Sequence, residues 1–388
     1  MERLSGSAKL LRSMNMSAVL SHLLSRGPLT RADVCELTGL SKPTTSDVLR
    51  KLVEADLAMI TGHTSGGPGP NAEIYATNPD GAFAGAISIR ETLGPPVIVI
   101  AIADLAGITR ARTEVEIDLA VEEPAAVLAA ALHDLCRDAD IPTDRIRHTQ
   151  LGVPGSYDPT SDTIHHVHVP GLDRPGLVTS LRRRLGAPVS IDNDVNLAAV
   201  AERRRGVAAG VPTFALLWLD NGLGLAIDLG NGLRRGARGG AGEIGYMPLG
   251  LPTQRSGAEA PDLHSILAGD AVLALALAHG IAADTPAQAV AKGGAAFIAA
   301  LAQRVAVAAA AVAAVLDPAL VVLAGAIAQA GGTRLRDAVA IAMRAAAPLE
   351  AEIATTSLDD DAVLLGALDA GLAAVHEDLI RAVGETRN

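Results

Sequence analysis

Apolar positions near the N-terminus recur at helical spacing. Val19, Leu20, Leu23 and Leu24 share one face of a helix that Gly27-Pro28 stops, since Gly ends the last turn and Pro cannot continue it. A second helix starts at Thr30, a good N-cap, and runs through Val34 and Leu37 to the turn Thr38-Gly39-Leu40. Ser41 caps a third, with Pro43 in its first turn and Val48, Leu49, Leu52 and Val53 at helical spacing. Two helices joined by a three-residue turn containing Gly make a helix-turn-helix pattern, here preceded by a supporting helix. A plain structural bundle is the other reading. Ala58-Met59-Ile60 and Ile74-Tyr75 flank Ser65-Gly66-Gly67-Pro68-Gly69-Pro70 and predict a two-stranded wing.

From Gly81 onward β-branched apolar runs alternate with longer helical stretches. Residues 86–89 and 97–103 read as strands, with Asp104-Leu105-Ala106-Gly107 as a hairpin-like turn into 108–117. Further strands are expected near 149–153, at 189–192 and at 320–324. Helices are expected at about 125–138, 176–185, 196–205, 266–279, 287–315 and 335–345. That alternation predicts an α/β core with parallel strands, and the change of texture sets a domain of residues 1–80 before one of 81–388.

Composition refines this picture. With 49% hydrophobic and 19% charged residues the 388-residue chain can bury a sizeable core, although aromatics are only 2%. The net charge of −11 argues against nucleic acid until it is divided along the chain. Residues 1–60 hold eight Lys/Arg against six Asp/Glu, so the balance there is +2 and the remainder is about −13. A polyanion is tolerated by the N-terminal part alone. Cys35 and Cys136 lie far apart, with no secretory signal pattern, which fits a reducing cytoplasm. The longest apolar run, 305–316, falls short of the ~20 residues needed to cross a bilayer, so no membrane span is expected.

In a helix-turn-helix the second helix of the motif enters the major groove, and polar residues near its start reach phosphates and base edges. The candidates are Ser41, Lys42, Thr44, Thr45 and Ser46, with Arg50 further along and Arg31 on the preceding helix.

Several short signals follow in a fixed order. Gly152-Val153-Pro154-Gly155-Ser156-Tyr157-Asp158 is a strand ending in a Pro-Gly turn. Asp192-Asn193-Asp194-Val195-Asn196 places polar groups between a strand end and a helix, where open α/β sheets bind ligands. Gly222-Leu223-Gly224 reads as a small-residue turn between strands, and Gly239-Gly240-Ala241-Gly242-Glu243-Ile244-Gly245-Tyr246 sets one carboxylate in a glycine-rich loop. Val315-Leu316-Asp317-Pro318 leads into Val321-Val322-Leu323-Ala324-Gly325. Together these closely resemble the ROK family (repressor, open reading frame, kinase), whose members are sugar kinases and winged-helix sugar-responsive repressors on an actin-like, ribonuclease H-like fold.

The resemblance covers nearly the whole chain and implies a two-lobed domain, with lobes of roughly 81–190 plus the C-terminal helix, and 191–370. It implies sugar-binding roles for Asn193, Asp194 and Glu243, with Asp194 at the position of the family's catalytic base. Gly155, Tyr246 and His264 complete the implied sugar site. A helix-capping role alone for Asp192-Asn193-Asp194 is the plainer alternative. Family kinases carry an Asp-x-Gly-Gly-Thr loop that cradles ATP phosphates; here Ser88-Ile89-Arg90-Glu91-Thr92-Leu93-Gly94-Pro95-Pro96 stands there, with prolines in place of N–H donors and an acid that repels phosphate. Family members also place a His where Tyr246 stands and three Cys in the following run, whereas Thr253-Gln254-Arg255-Ser256-Gly257-Ala258-Glu259-Ala260-Pro261-Asp262 has none, so zinc is not expected. His165, His166 and His168 invite a metal reading, but a loop lining the sugar site is preferred.

The expectation is therefore a cytoplasmic, sugar-responsive repressor without cofactor or metal, whose partners are operator DNA, a sugar effector and further copies of itself in a homodimer or homotetramer. The rival is a bifunctional ATP-dependent sugar kinase that keeps its DNA-binding head. A third reading is a DNA-binding protein that has lost sugar binding altogether.

Overall fold

The computed structural model describes the chain apart from Met1, residues 65–70, 92–94, 120–122, 166, 168, 231, 238, 251–260, 360 and 385–388, with the backbone alone at 2–10 and 12. The N-terminal part comprises α1 (Glu2–Arg26), β1 (Leu29–Thr30), α2 (Arg31–Thr38), α3 (Lys42–Glu54), β2 (Ala58–His63) and β3 (Glu73–Thr77). Thr30 and Asp33 form a reciprocal capping box at the start of α2, and Gly39 ends that helix at φ 69°, a left-handed conformation that favours glycine. Ser41 caps α3 by accepting the Thr44 N–H. The expected wing is present as an antiparallel β2–β3 pair, and β1 adds an unforeseen third strand against β3. The Ser65–Pro70 wing tip lies outside the described residues.

Beyond Gly81 run β4 (Phe83–Arg90), β5 (Val97–Asp104), β6 (Thr109–Glu116), α4 (Pro124–Asp138), β7 (Ile146–Val153), β8 (Ser156–Asp158), β9 (Thr163–His165), α5 (Leu177–Leu185), β10 (Val189–Asn193) and α6 (Asp194–Arg205). They are followed by β11 (Phe214–Leu219), β12 (Leu223–Asp228), α7 (His264–Leu267), α8 (Gly269–Ala278), α9 (Pro286–Lys292), α10 (Ala295–Leu316), β13 (Leu320–Ala324), α11 (Ala326–Ala346), β14 (Glu352–Thr355) and α12 (Ala362–Gly384). The chain divides into two compact units, one of Met1–Gly152, Val169–Ile191 and Ala367–Asn388, the other of Val153–His168 and Asp192–Gly366.

The first unit contains a five-stranded sheet in the order β10-β7-β4-β5-β6. The unbroken apolar run of β5 is explained by its place between β4 and β6, where nearly all its residues are buried. Val19, Leu20 and Leu23 of α1, Val34 of α2 and Val48, Leu49 and Leu52 of α3 form one core, continuous with Leu105 and with Leu372, Val375 and Leu379 of α12. The helix-turn-helix is thus anchored by the C-terminal helix, and each fully buried aliphatic side chain contributes about 1.5–3 kcal/mol. Ser17 Oγ adds a hydrogen bond to the Ile380 carbonyl at 2.8 Å.

The second unit is built on the sheet β12-β11-β13-β14, and its core joins β11 and β13 to α9, α10 and α11. Neither sheet is wholly parallel: β4–β7, β11–β13 and β13–β14 are parallel, whereas β4–β5, β5–β6 and β11–β12 are antiparallel. The hairpin-like turn expected at Asp104-Leu105-Ala106-Gly107 is present as the antiparallel β5–β6 pair, whereas the parallel core expected from alternation is corrected by the antiparallel β4–β5 and β11–β12 pairs, whose short connections hold no crossover helix.

Other boundaries also differ. The predicted 266–279 helix is broken at Ala268, where ψ of 160° separates α7 from α8. The predicted 287–315 helix is two helices, interrupted at Gly293-Gly294. The helix expected at 335–345 begins at Ala326 and kinks at Gly332. The Gly222-Leu223-Gly224 turn is displaced: Leu219 pairs with Leu223 and Trp218 with Gly224, so the turn is Asp220-Asn221-Gly222. Counting only the unbroken apolar run also undersized α10, which has 22 residues and a mean hydropathy of 2.0 and is long and apolar enough to cross a membrane. Its Phe297, Leu301, Val305, Ala309 and Val312 are buried in this unit, and Arg304, in the middle of the helix, donates to the Ile266 and Ala271 carbonyls, as befits a core helix.

Candidate functional site

The exposed start of α3 holds most of the predicted DNA-facing residues. Ser41 and Lys42 are exposed, and Thr44 and Ser46 half-buried. Thr44 Oγ1 lies 2.8 Å from Ser41 Oγ, and Ser46 Oγ accepts from Arg31 Nη1 at 3.2 Å, which ties α2 to α3. Thr45 is a correction. It is fully buried, and its Oγ1 accepts from Cys35 Sγ at 3.3 Å, so it cannot reach DNA. The helical stripe Thr45, Val48, Leu49, Leu52 already carried that signal, because positions three and four apart share a face.

Arg50 is exposed, but both its terminal nitrogens are engaged, by Asp47 at 2.5 Å and by Glu54 at 2.5 Å, while Lys51 also pairs with Asp47 at 2.6 Å. A guanidinium held at both ends must release an acid before it can grip a phosphate or a guanine edge. Lys42→Ala is therefore expected to lower the slope of log affinity against log salt by ~0.9, the share of one phosphate contact, and Arg50→Ala to lower it less. Equal slopes in Lys42→Ala and the wild type would move the DNA contact away from the start of α3.

The second site is assembled at the junction of β10 and α6. Asn193 is the N-cap of α6: its side-chain oxygen accepts from Val195 N at 2.9 Å and Asn196 N at 3.4 Å, and its amide donates to the Gly155 carbonyl at 3.2 Å. Capping is thus a real role of Asn193. A β-carbon at Gly155 would lie 2.7 Å from the His165 carbonyl oxygen, so glycine is what lets this turn close. Glu243 accepts from Ser156 Oγ at 2.6 Å. Asp194 is half-buried at the first turn of α6, and burial, followed by the negative charges of Asp220 and Glu243, pushes its carboxyl up to about 7 against the pull of the Val195 N–H. Asp194, Asp220 and Glu243 therefore share one electrostatic neighbourhood.

Arg235 and Asp220 also lie here and were not singled out from sequence, while Asp192 and Ser156 were named within their motifs without a role in ligand binding. Asp192 is buried, with Oδ2 accepting from Arg235 Nε at 2.9 Å and Nη2 at 2.5 Å, and Oδ1 accepting from Asn193 N and Asn196 Nδ2, both at 2.9 Å. This ties the loop leading to Glu243 to the junction carrying Asn193 and Asp194, through charge-assisted bonds. Gly242, at φ 101°, passes so close to β12 that a β-carbon would lie 1.9 Å from the Leu225 carbonyl oxygen. Tyr246 and His264 meet edge to face at 5.0 Å, and the His264 ring occupies the space a β-carbon at Gly245 would fill. Tyr246 is 52% exposed and joins the Glu243 group through the short turn Ile244–Tyr246. Of the zinc-run stretch, Asp262 caps Ser265 N at 2.9 Å, while 253–260 lie outside the described residues, as do His166 and His168. Thr92-Leu93-Gly94 of the β4–β5 connection lie outside them too; before it, Arg90 pairs with Glu114 at 3.2 Å.

A winged helix-turn-helix head followed by a sugar-kinase-like α/β domain is the class this fold defines. The ROK family model matches residues 91–373, and the chain belongs to the ROK family. Residues 17–58 match the model described as bacterial regulatory protein, arsR family. A putative xylose repressor of Caldicellulosiruptor sp. (strain Rt8B.4) is 27% identical over 251 residues, 63% of this chain and 61% of the relative. The chain thus spans about three fifths of the length of that relative. The crystal structure of a ROK family transcriptional regulator, a homolog of the E. coli MLC protein, superposes with a TM-score of 0.76 at 18% identity, covering 97% of this chain and 99% of that one. The ROK hexokinase from Thermus thermophilus gives a TM-score of 0.63 at 26% identity over 76% of this chain and 99% of its own.

Proposed function

We propose that this protein is a cytoplasmic transcriptional regulator, a repressor whose ROK domain senses a sugar or sugar derivative without phosphorylating it and whose head binds operator DNA. The observation that carries this reading is the combination, in one chain, of an exposed α3 start with a β4–β5 connection in which Pro95 and Pro96 remove backbone N–H donors and Glu91 sets a negative charge where a phosphate would lie. The likeness to a putative xylose repressor agrees with it. The Asn193, Asp194 and Glu243 groups supply planar acceptors and donors of the kind that read paired hydroxyls, and leaving them unpaired would be costly. Two copies in a homodimer, or four in a tetramer, would present heads to half-sites about one helical turn apart, and a ligand that favours one conformation would change their spacing.

The rival, a kinase that keeps its DNA-binding head, draws support from Asp194, because a carboxyl pushed up to about 7 suits a general base. A thermal-shift screen of free sugars, with and without ATP, separates the two, since a ligand raises stability only by binding the folded state. The expected result is a rise with one sugar class that ATP leaves unchanged. A rise that requires ATP, or one zinc per chain by elemental analysis of the same preparation, would contradict the reading.

A further inference from the structure

The turn Asp220-Asn221-Gly222 is wedged in place from three directions. Gly224 on β12 lets Val195 of α6 approach, a β-carbon there lying 2.7 Å from Val195 Cγ2. Gly325, just before α11, packs on the end of β11, a β-carbon there lying 2.4 Å from the Leu219 carbonyl oxygen. The Asn221 carbonyl accepts the Gly269 N–H at 3.0 Å. Within this rigid turn Asp220 is fixed through both oxygens: Oδ1 accepts Asn221 N at 2.8 Å, and Oδ2 accepts the N–H of Ala326, the first residue of α11, at 3.2 Å.

The start of a long helix, with its unpaired N–H groups and positive dipole end, is the ordinary seat of a phosphate. In this protein a carboxylate of the same chain occupies that seat. Val195, next to Asp194, packs on Gly224 just beyond this turn, and after burial the negative charges of Asp220 and Glu243 help to raise the Asp194 carboxyl. Arg235, the guanidinium at the β10–α6 junction, is committed to Asp192.

We propose that Asp220 is a specificity-determining residue that keeps phosphate groups out of the Asp194 site, so that the effector is an unphosphorylated sugar and neither a sugar phosphate nor a nucleotide is held there. The inference rests on the sugar-sensing reading and adds the chemical class of the effector. A phosphate brought to the start of α11 meets a fixed carboxylate already bonded to the N–H it needs, with two further acids in the same neighbourhood. Neutral hydroxyls instead donate to those acids, and this opposition of repulsion and attraction is what separates one ligand class from the other.

Calorimetric titration of the full chain with inorganic pyrophosphate, without sugar, tests this. Asp220→Asn keeps an acceptor for the Ala326 N–H and removes the charge; Asp220→Ser does the same with a smaller group. Either variant is expected to bind pyrophosphate at least about tenfold more tightly than the wild type, a difference of one decade in Kd. Affinities equal to the wild type's in both folded variants, together with no sugar-dependent ADP release by the wild type, would overturn this proposal alone. Sugar-dependent ADP release by the wild type would overturn the sensor reading and this proposal together.

Discussion

Asp194→Asn is expected to leave operator binding intact while raising the ligand concentration for half-maximal response roughly ten- to hundredfold. On the sugar-sensing reading the carboxylate accepts from a ligand hydroxyl; a hydrogen bond to a charged group is worth ~1.5–3 kcal/mol, and each decade of affinity is ~1.4 kcal/mol. The kinase reading predicts a different loss, a ~10²–10⁴-fold fall in turnover with sugar binding largely kept. Sugar-dependent ADP release by the wild type, abolished in the variant, would decide for the kinase. The same substitution has a second signature. Burial and the charges of Asp220 and Glu243 raise the Asp194 carboxyl from 3.8 to about 7, so the folded chain holds this proton more tightly than the unfolded one. The stability from that proton is complete below about pH 4 and is lost as pH climbs towards and through 7. Asparagine stays neutral, so the melting temperature of the variant relative to the wild type is expected to rise between about pH 5 and 8. A difference that stays constant over that range would place Asp194 in a solvated setting.

Gly366→Ala is expected to destabilise the second unit and to silence its response. Gly366 lies in the first part of α12, and a β-carbon there would sit 1.7 Å from the Leu197 carbonyl oxygen and 2.5 Å from its carbon. Backbone cannot swing aside as a long side chain can, so α12 and α6 would have to separate. Overpacking of this kind costs ~1–3 kcal/mol or more, and a fall in melting temperature of roughly 2–10 °C follows for a domain of this size. Because α6 begins with Asp194 and is capped by Asn193, its displacement is expected to remove stabilisation by sugar as well. A wild-type melting temperature in Gly366→Ala would show that the two helices are not in this close contact in solution.

The head was legible residue by residue because its signals are local. The Thr30 and Ser41 caps, the Gly39 turn and the Val48, Leu49, Leu52 stripe each act within one helical turn, and each is found where the pattern put it. Asn193, Asp194 and Glu243 stand out in the sequence as short polar groups at a strand end and in a glycine loop, and the resemblance to the ROK family is what implied a role in ligand binding for them. The partners that organise them could not. Arg235 lies 43 residues from Asp192 and Ser156 lies 87 from Glu243, separations at which no spacing rule applies. Asp220 reaches the N–H of Ala326 across 106 residues, because two strands and a helix start happen to converge. Arg50 shows the same limit at short range, since its place on α3 offered it to DNA whereas two acids engage it; the burial of Thr45, by contrast, was legible in its stripe with Val48, Leu49 and Leu52. Helix caps, amphipathic faces and turn residues follow from the order of residues along the chain, since their energies are settled between near neighbours. Which charges are paired, which glycines must be glycine and which carboxyl keeps its proton depend on groups brought together through space, and those energies exist only once the chain has folded.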